Sequence, residues 1–194
     1  MSDISLRLAL QSDAPRLLRW RQEPQVAPWW NVPPYSANDV GEVEEELAGD
    51  AALEGHQSLL VLLDGNPIGY LQTYNAGRAS GDWWPDESDA TRGLDLLIGE
   101  PDLVGRGIGP RVVRLICARL FEEPDVESII VDPHPDNARS IRCFEKAGFI
   151  AERRLSTPDG EALLMRLRRE KWRGISLQLD DAEFAAIFCR DLSE

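Results

Sequence analysis

At 194 residues the chain has the length of one domain, which at this size buries roughly 70% of its unfolded surface and needs no metal or disulfide staple. Its 34 Asp and Glu against 21 Lys and Arg leave a net charge of -13, which excludes nucleic acid and anionic membrane surfaces as partners, because phosphates demand clustered cations. No apolar run approaches the ~20 residues of a membrane span. The start Met1-Ser2-Asp3-Ile4-Ser5 lacks the basic and apolar parts of a signal peptide. Cys117, Cys143 and Cys189 are odd in number and form no CxxC pair, so they read as reduced thiols of a cytoplasmic protein. With only His56 and His134 present, neither at ligand spacing from a cysteine, no metal is expected.

In chain order, Ile4 to Leu10 alternates apolar and polar residues as a half-buried strand does. Ser12 and Asp13 offer caps for a helix with Pro15 in its first turn. Arg21 to Tyr35, rich in Pro and Trp, is expected to break regular structure. Asp39 to Leu47 reads as a second helix, strongly acidic on its exposed side. Leu59 to Leu63 and Ile68 to Tyr74 are apolar strands around the turn Asp64-Gly65-Asn66-Pro67. Gly93 to Ile98 is another strand, preceded by an acidic loop. Gly107 to Phe121 is a long helix with Val112, Ile116 and Leu120 on one face. Ser128 to Val131 is a short buried strand, and Asn137 to Ala147 a helix ended by Gly148 as a left-handed cap. Phe149 to Leu155 and Leu163 to Leu167 close the chain as a strand pair around Pro158-Asp159-Gly160. The order is that of an α/β domain with a mixed sheet covered by helices. Residues 171–194 follow the last strand as an extension, with Phe184, Ile187 and Phe188 spaced for one short amphipathic helix.

The segment Leu103-Val104-Gly105-Arg106-Gly107-Ile108-Gly109-Pro110-Arg111 lies between a strand and a helix. Its glycines allow a tight turn and close backbone approach, and the helix start presents free N–H groups to an anion such as a pyrophosphate. It is not a phosphate-binding P-loop, since no Gly-Lys-Ser/Thr follows, and no acidic residue completes a dinucleotide fingerprint. A second motif runs Asp132-Pro133-His134-Pro135-Asp136-Asn137-Ala138-Arg139-Ser140-Ile141-Arg142-Cys143-Phe144-Glu145-Lys146-Ala147-Gly148-Phe149, following a buried strand and opening a helix.

Together the two motifs resemble the GNAT superfamily of coenzyme A-dependent N-acetyltransferases, over about residues 4–168. The resemblance implies a mostly antiparallel central sheet flanked by helices on both faces, with acetyl-coenzyme A as acyl donor. It places the pyrophosphate on Arg106, Gly107, Ile108, Gly109 and Arg111 and the pantetheine arm along Asn137, with further cofactor contacts at Leu97, Phe144 and Lys146. A third set narrows the likeness: Gln72 within Tyr70-Leu71-Gln72-Thr73-Tyr74, then Ser80-Gly81-Asp82-Trp83-Trp84-Pro85-Asp86-Glu87-Ser88-Asp89, then Arg92-Gly93-Leu94-Asp95, with Trp29-Trp30 upstream. This resembles the aminoglycoside 6'-N-acetyltransferases, antibiotic-resistance enzymes. It implies an acidic pocket of Asp82, Asp95 and Asp132, with Asp95 engaging the reacting amine and Trp30, Gln72 and Trp84 holding sugar rings. Asp86, Glu87 and Asp89 are expected to join that cluster. Aromatic faces beside carboxylates form a sensible receptor for aminosugars.

The expected reaction is direct attack of a deprotonated amine on the thioester, with Asp95 and Asp132 as the catalytic carboxylates and no covalent enzyme intermediate. Two departures from the family pattern stand out. Phe144 occupies the place where many of these proteins have a tyrosine to protonate the leaving thiolate, and Pro110 removes one N–H from the pyrophosphate nest. Alternatives are an acyltransferase for another amine, such as a siderophore lysine or a protein amine, and a non-catalytic acetyl-coenzyme A-binding module. A monomer or homodimer is expected.

Overall fold

The computed structural model describes residues 3–30, 39–78 and 83–174. Seven strands form one sheet in the order β1-β2-β3-β4-β5-β7-β6. They are β1 (Ile4–Leu8), β2 (Gln57–Leu63), β3 (Asn66–Asn75), β4 (Thr91–Ile98), β5 (Ser128–Val131), β6 (Ile150–Thr157) and β7 (Gly160–Arg168). Every pairing is antiparallel except β4 with β5, which is parallel. The expected mixed, mostly antiparallel sheet is thus present.

Helices cover both faces because alternate strand residues point to opposite sides and both sets are apolar. On one side α4 (Ile108–Leu120) and α5 (Ala138–Ala147) bury Val112, Ile116, Phe144 and Ala147 against Leu59, Val61, Leu71, Leu94 and Ile129. On the other, α1 (Ala14–Gln22) and α3 (Val40–Ala51) bury Leu17, Trp20, Val43 and Leu47 against Leu60, Tyr70 and Leu97. A third cluster of Ala76, Trp84, Ile130 and Leu164 lies on the strands beyond.

Several local expectations need correction. The Pro/Trp-rich stretch is more regular than expected: α1 runs to Gln22, and Ala27–Trp30 forms a helical turn, α2. Residues 31–38 of that stretch lie outside the described residues. Asp13 precedes α1 but does not cap it with its side chain. Its carboxylate instead accepts from Leu10 N–H at 2.9 Å and pairs with both terminal nitrogens of Arg7 at 2.7 Å. Asp39 does cap α3, accepting from Glu42 N–H at 3.0 Å, and that helix continues four residues past its expected end at Leu47. The β2–β3 turn is tighter than expected, with Leu63 paired to Asn66 and Asp64 and Gly65 both at positive φ. Gly148 closes α5 in the left-handed conformation as expected, φ 106°. Of the 171–194 extension, Trp172 packs on Phe121, with ring centroids 5.8 Å apart; the expected helix around Phe184 lies outside the described residues.

Candidate functional site

The sheet register assembles a row of polar side chains on the face shared with α3. Ser58 pairs with Gln72, and Gln72 with Asp95. Gly93 pairs with Ile130, two residues before Asp95 and Asp132 respectively. The period of two therefore brings Gln72, Asp95 and Asp132, which are 60 positions apart in the chain from first to last, to one line across the sheet. Pairing of β4 to β5 covers only Thr91 to Gly93, and β4 runs on to Ile98 beside β3 alone. The gap between the parted strands opens where the two carboxylates sit.

Asp95 is oriented by Gln72, whose Nε2 donates to Oδ2 at 2.9 Å. Gln72 is held in turn by the buried Tyr70 hydroxyl, 3.2 Å from its Oε1, and Tyr70 lies 2.7 Å from the Ser58 hydroxyl. Tyr74 forms the floor beside them. Its ring lies over Gly93, where a Cβ would fall inside the ring, so glycine is required by close approach. Trp84, 6% exposed, hydrogen-bonds with the Tyr74 hydroxyl. Trp30 stands edge-on to Tyr70, with centroids 5.8 Å apart and planes at 78°.

Among the described residues no arginine or lysine forms an ion pair with the acids of the row. Burial pushes the Asp95 carboxyl up, opposed by the Gln72 hydrogen bond and by the His56 charge. Asp132 is pushed up to about 8, first by burial, then by the charges of Asp95 and Asp159. Asp159, in the β6–β7 turn, is pushed up to about 6, first by desolvation and then by Asp95. Tyr74 is raised too, first by burial, then by Asp95 and Asp132. Like charges held together in poor solvent cannot all ionise, so this group titrates as a unit.

Around the row lies a cavity of about 880 Å³. Trp30, Gln72, Trp84, Asp95 and Asp132, all expected at the substrate site, line it. Asp82 lies outside the described residues. Of the expected acidic loop, Asp86, Glu87 and Asp89 do not join the cavity. Asp86 pairs with Arg153 at 3.1 Å, Asp89 with Arg78 at 3.0 Å, and Glu87 with Arg166 at 2.5 Å. The opposite wall instead comes from α3 and the turn after it: Glu42, Glu46 and Asp50, spaced by four, with Glu54. Four-residue spacing puts them on one helix face, which sequence reading assigned to solvent; nothing local in the sequence shows that this face looks into a cavity. Asp159 and His56 also line it and were read only as a turn residue and an unassigned histidine.

A second part of the site lies at the start of α4. Gly105 and Gly107 take φ values of 80° and 77°, and Gly107 caps the helix without a side-chain hydrogen bond. The first N–H groups of α4, at Ile108, Gly109 and Arg111, are left without intrahelical partners, the arrangement that suits an anion, with Pro110 contributing none. Arg106 and Arg111 are exposed there. Gly109 packs against α5, where a Cβ would meet Cys143 Sγ at 2.8 Å. On α5, Asn137 caps the helix, accepting from Ser140 N–H at 3.1 Å. Asn137, Ser140 and Phe144 share a face and line the cavity, so the cavity reaches the helix expected beside the pantetheine arm. The structure does not bring Leu97 or Lys146 to it: Leu97 is core beside Tyr70 and Trp20, and Lys146 is exposed near the end of α5. Cys143 lies next to this region, but burial pushes its thiol up to about 11, the opposite of an activated nucleophile.

Residues 9–157 match the family model of the acetyltransferase (GNAT) domain. The chain is 36% identical over 163 residues to aminoglycoside N(6')-acetyltransferase type 1 of Klebsiella pneumoniae, covering 84% of this chain and 81% of that protein. N-hydroxyputrescine acetyltransferase of Acinetobacter baumannii is 29% identical over 138 residues, 71% of this chain and 62% of that one. Among solved structures, AAC(6')-Ib in complex with ribostamycin and coenzyme A superposes with a TM-score of 0.82 at 34% identity, covering 92% of this chain and 99% of that one. With the Gly-rich helix start, the parted β4 and β5 and the carboxylate row between them, the matches settle the family: the chain belongs to the GNAT acetyltransferases and is an N-acetyltransferase.

Proposed function

We propose that the protein moves the acetyl group of acetyl-coenzyme A to an amine of a polycationic small molecule, the 6'-amino group of an aminoglycoside. The observation that carries this reading is the row of carboxylates Asp95, Asp132 and Asp159, which have no arginine or lysine partner among the described residues, in a cavity walled by Trp30, Tyr74 and Trp84. Carboxylates without arginine partners are counter-charges for ammonium groups, and aromatic faces suit sugar rings. The similarity to enzymes named for aminoglycoside N(6')-acetylation supports the same choice.

In this reading the α4 start, with Arg106, Gly107, Ile108, Gly109 and Arg111, holds the pyrophosphate, and Asn137 and Phe144 flank the arm carrying the thioester. Asp95, aimed by Gln72, receives the substrate ammonium and takes its proton. Its raised basicity, a result of burial, makes it a better acceptor than an exposed carboxylate. Asp132 shares that proton with it near neutral pH. The free amine attacks the thioester carbon, and the oxyanion meets backbone N–H groups of β4 beyond Gly93. The C–S bond then breaks. Coenzyme A leaves as a thiolate that takes up a proton from solvent, since Phe144 has none to give and a thiol pKa of ~8.5 makes this inexpensive. The products are the N-acetylated amine, coenzyme A and one proton. The free thiols Cys117 and Cys143 suit a reducing, cytoplasmic setting.

The test is thiol release from acetyl-coenzyme A across a panel of amines. Kanamycin and ribostamycin are expected to turn over with apparent KM rising several-fold between low and ~0.5 M salt, as screening weakens ion pairs. Faster turnover of a lysine siderophore precursor or a peptide amine would replace the aminoglycoside reading. Tight acetyl-coenzyme A binding without turnover of any amine would replace the enzymatic one.

A further inference from the structure

One cavity side chain, His56, has no part in the mechanism above. It stands one residue before β2, and the β2–β3 register carried one step further sets it opposite Tyr74. The two rings stack, with centroids 6.3 Å apart and planes 22° apart. Its side chain is 11% exposed, and Nε2 is shut off from solvent without a hydrogen-bond partner, although Asp50 Oδ2 lies 3.3 Å away. The other charged or titratable groups on this wall are Glu54 after α3, Tyr74 on β3, Arg78 after β3 and Asp95 on β4. Glu54 is paired with Arg78 at 3.1 Å, and Glu46 on α3 with Arg21 at 2.6 Å. Asp50 differs from both. Among the described residues its one cationic neighbour is His56, and its other contact is the Ser58 hydroxyl at 3.1 Å.

A carboxylate without a permanent cation, beside an imidazole nitrogen without a hydrogen bond, is a place for one positive charge. A proton on His56 can supply that charge, and so can an ammonium group of the substrate. We propose that His56 is a specificity-determining residue: when protonated it takes the Asp50 position with its own charge and excludes a second substrate ammonium, and when neutral it yields that position. This rests on the reading of the cavity as a site for polycationic amines. The inner ammonium, held by Asp95, is chosen by the carboxylate row. The second one, held by Asp50, is what separates a polyamine sugar from a mono-amine. Because Asp95 also feels the His56 charge, protonation weakens both positions together.

Binding and protonation that compete must be linked reciprocally. Free imidazole changes charge between about pH 5 and 8, so the linkage is tested across that range. The full-length protein has only two histidines, and comparison with His134→Gln assigns their NMR signals. Saturating kanamycin, with coenzyme A bound, should lower the titration midpoint of His56 by about one pH unit, while glucosamine, with a single amine, should move it little. The matching equilibrium result is a kanamycin Kd that rises several-fold, by less than about tenfold, from pH 7.5 to 5.5 beyond the rise seen in His56→Gln. A His56 midpoint unmoved by bound kanamycin, or the same pH dependence in the variant, overturns the inference and leaves the proposed function standing. If kanamycin does not bind at pH 7.5, the functional reading fails and this inference with it.

Discussion

Two groups of acids meet opposite fates. In the loop before β4, Asp86, Glu87 and Asp89 are each neutralised by an arginine. Asp95 on β4 and Asp132 just after β5 have no such partner among the described residues, and burial drives their carboxyls up. Glu87 shows the contrast best: burial would raise it too, but the hydrogen bond and charge of Arg166 outweigh burial and hold it below the usual carboxylate range. The residue type is the same, and the supply of arginine decides whether its charge is neutralised or left open. Arg166 and Arg153 come from β7 and β6, far along the chain, which is why the acidic loop looks functional in sequence and is structural in space.

The strongest way to break this comparison is to neutralise one acid of each kind. Asp95→Asn should retain acetyl-coenzyme A binding, measured by calorimetry, and lose about 10²–10⁴-fold in turnover, since an amide cannot accept the proton. More than half the activity remaining would move the base to Asp132 or Asp159.

Glu87→Gln should do the reverse. The Glu87–Arg166 pair has side chains only 8% and 10% exposed, and breaking a buried pair strands a charge. A loss of about 3 kcal/mol is expected, at the lower end because Glu152 still pairs with Arg166. By calorimetric melting that is roughly 6–12 °C for a chain of this size, with KM for the amine unchanged. Since the Glu87 carboxyl is lowered by folding, this contribution is present above its ordinary range and fades as pH falls through the folded value. The difference between variant and wild type should therefore shrink in acid.

Asp132 carries the opposite sign. Burial and the Asp95 charge push its folded carboxyl up to about 8, well above the unfolded value, so the folded state holds the proton more tightly. Its contribution is complete below the unfolded pKa of ~4 and is lost as pH rises through the folded one. Asp132→Asn should accordingly melt higher than wild type, by on the order of a few °C, with a gap that widens from pH 4 to 8. A gap that narrows with rising pH would show that the two carboxylates do not interact as described.

The smallest effect is expected at Phe144, 4% exposed at the cavity edge and packed on Phe149 with centroids 5.6 Å apart. Phe144→Tyr should leave turnover equal or raise it modestly, less than about threefold, because a thiolate leaves well without an acid near neutral pH. A large fall with an unchanged melting temperature would mean that the position touches something other than the leaving thiol.

Much of this protein is decided within short stretches of chain. Alternation in β1, β3 and β4, the apolar stripe of α4, the Asn137 cap and Gly148 terminus of α5, and the glycines before α4 are local, so the sequence alone determines the elements, the anion-binding helix start and the family. Sequence reasoning also pointed to Asp95, Asp132, Gln72, Trp30 and Trp84, through their motifs rather than through any physical visibility of a cavity. What only the tertiary structure decides is which charges face each other. Glu46 and Asp50 reach the cavity because α3 packs on the same sheet face as the carboxylate row, while His56 comes to it from the start of β2 and Asp159 from the β6–β7 turn. Electrostatic pairing acts across space between residues as far apart as Glu87 and Arg166, so charge count and spacing along the chain carry the acidity of the protein but not the address of each acid.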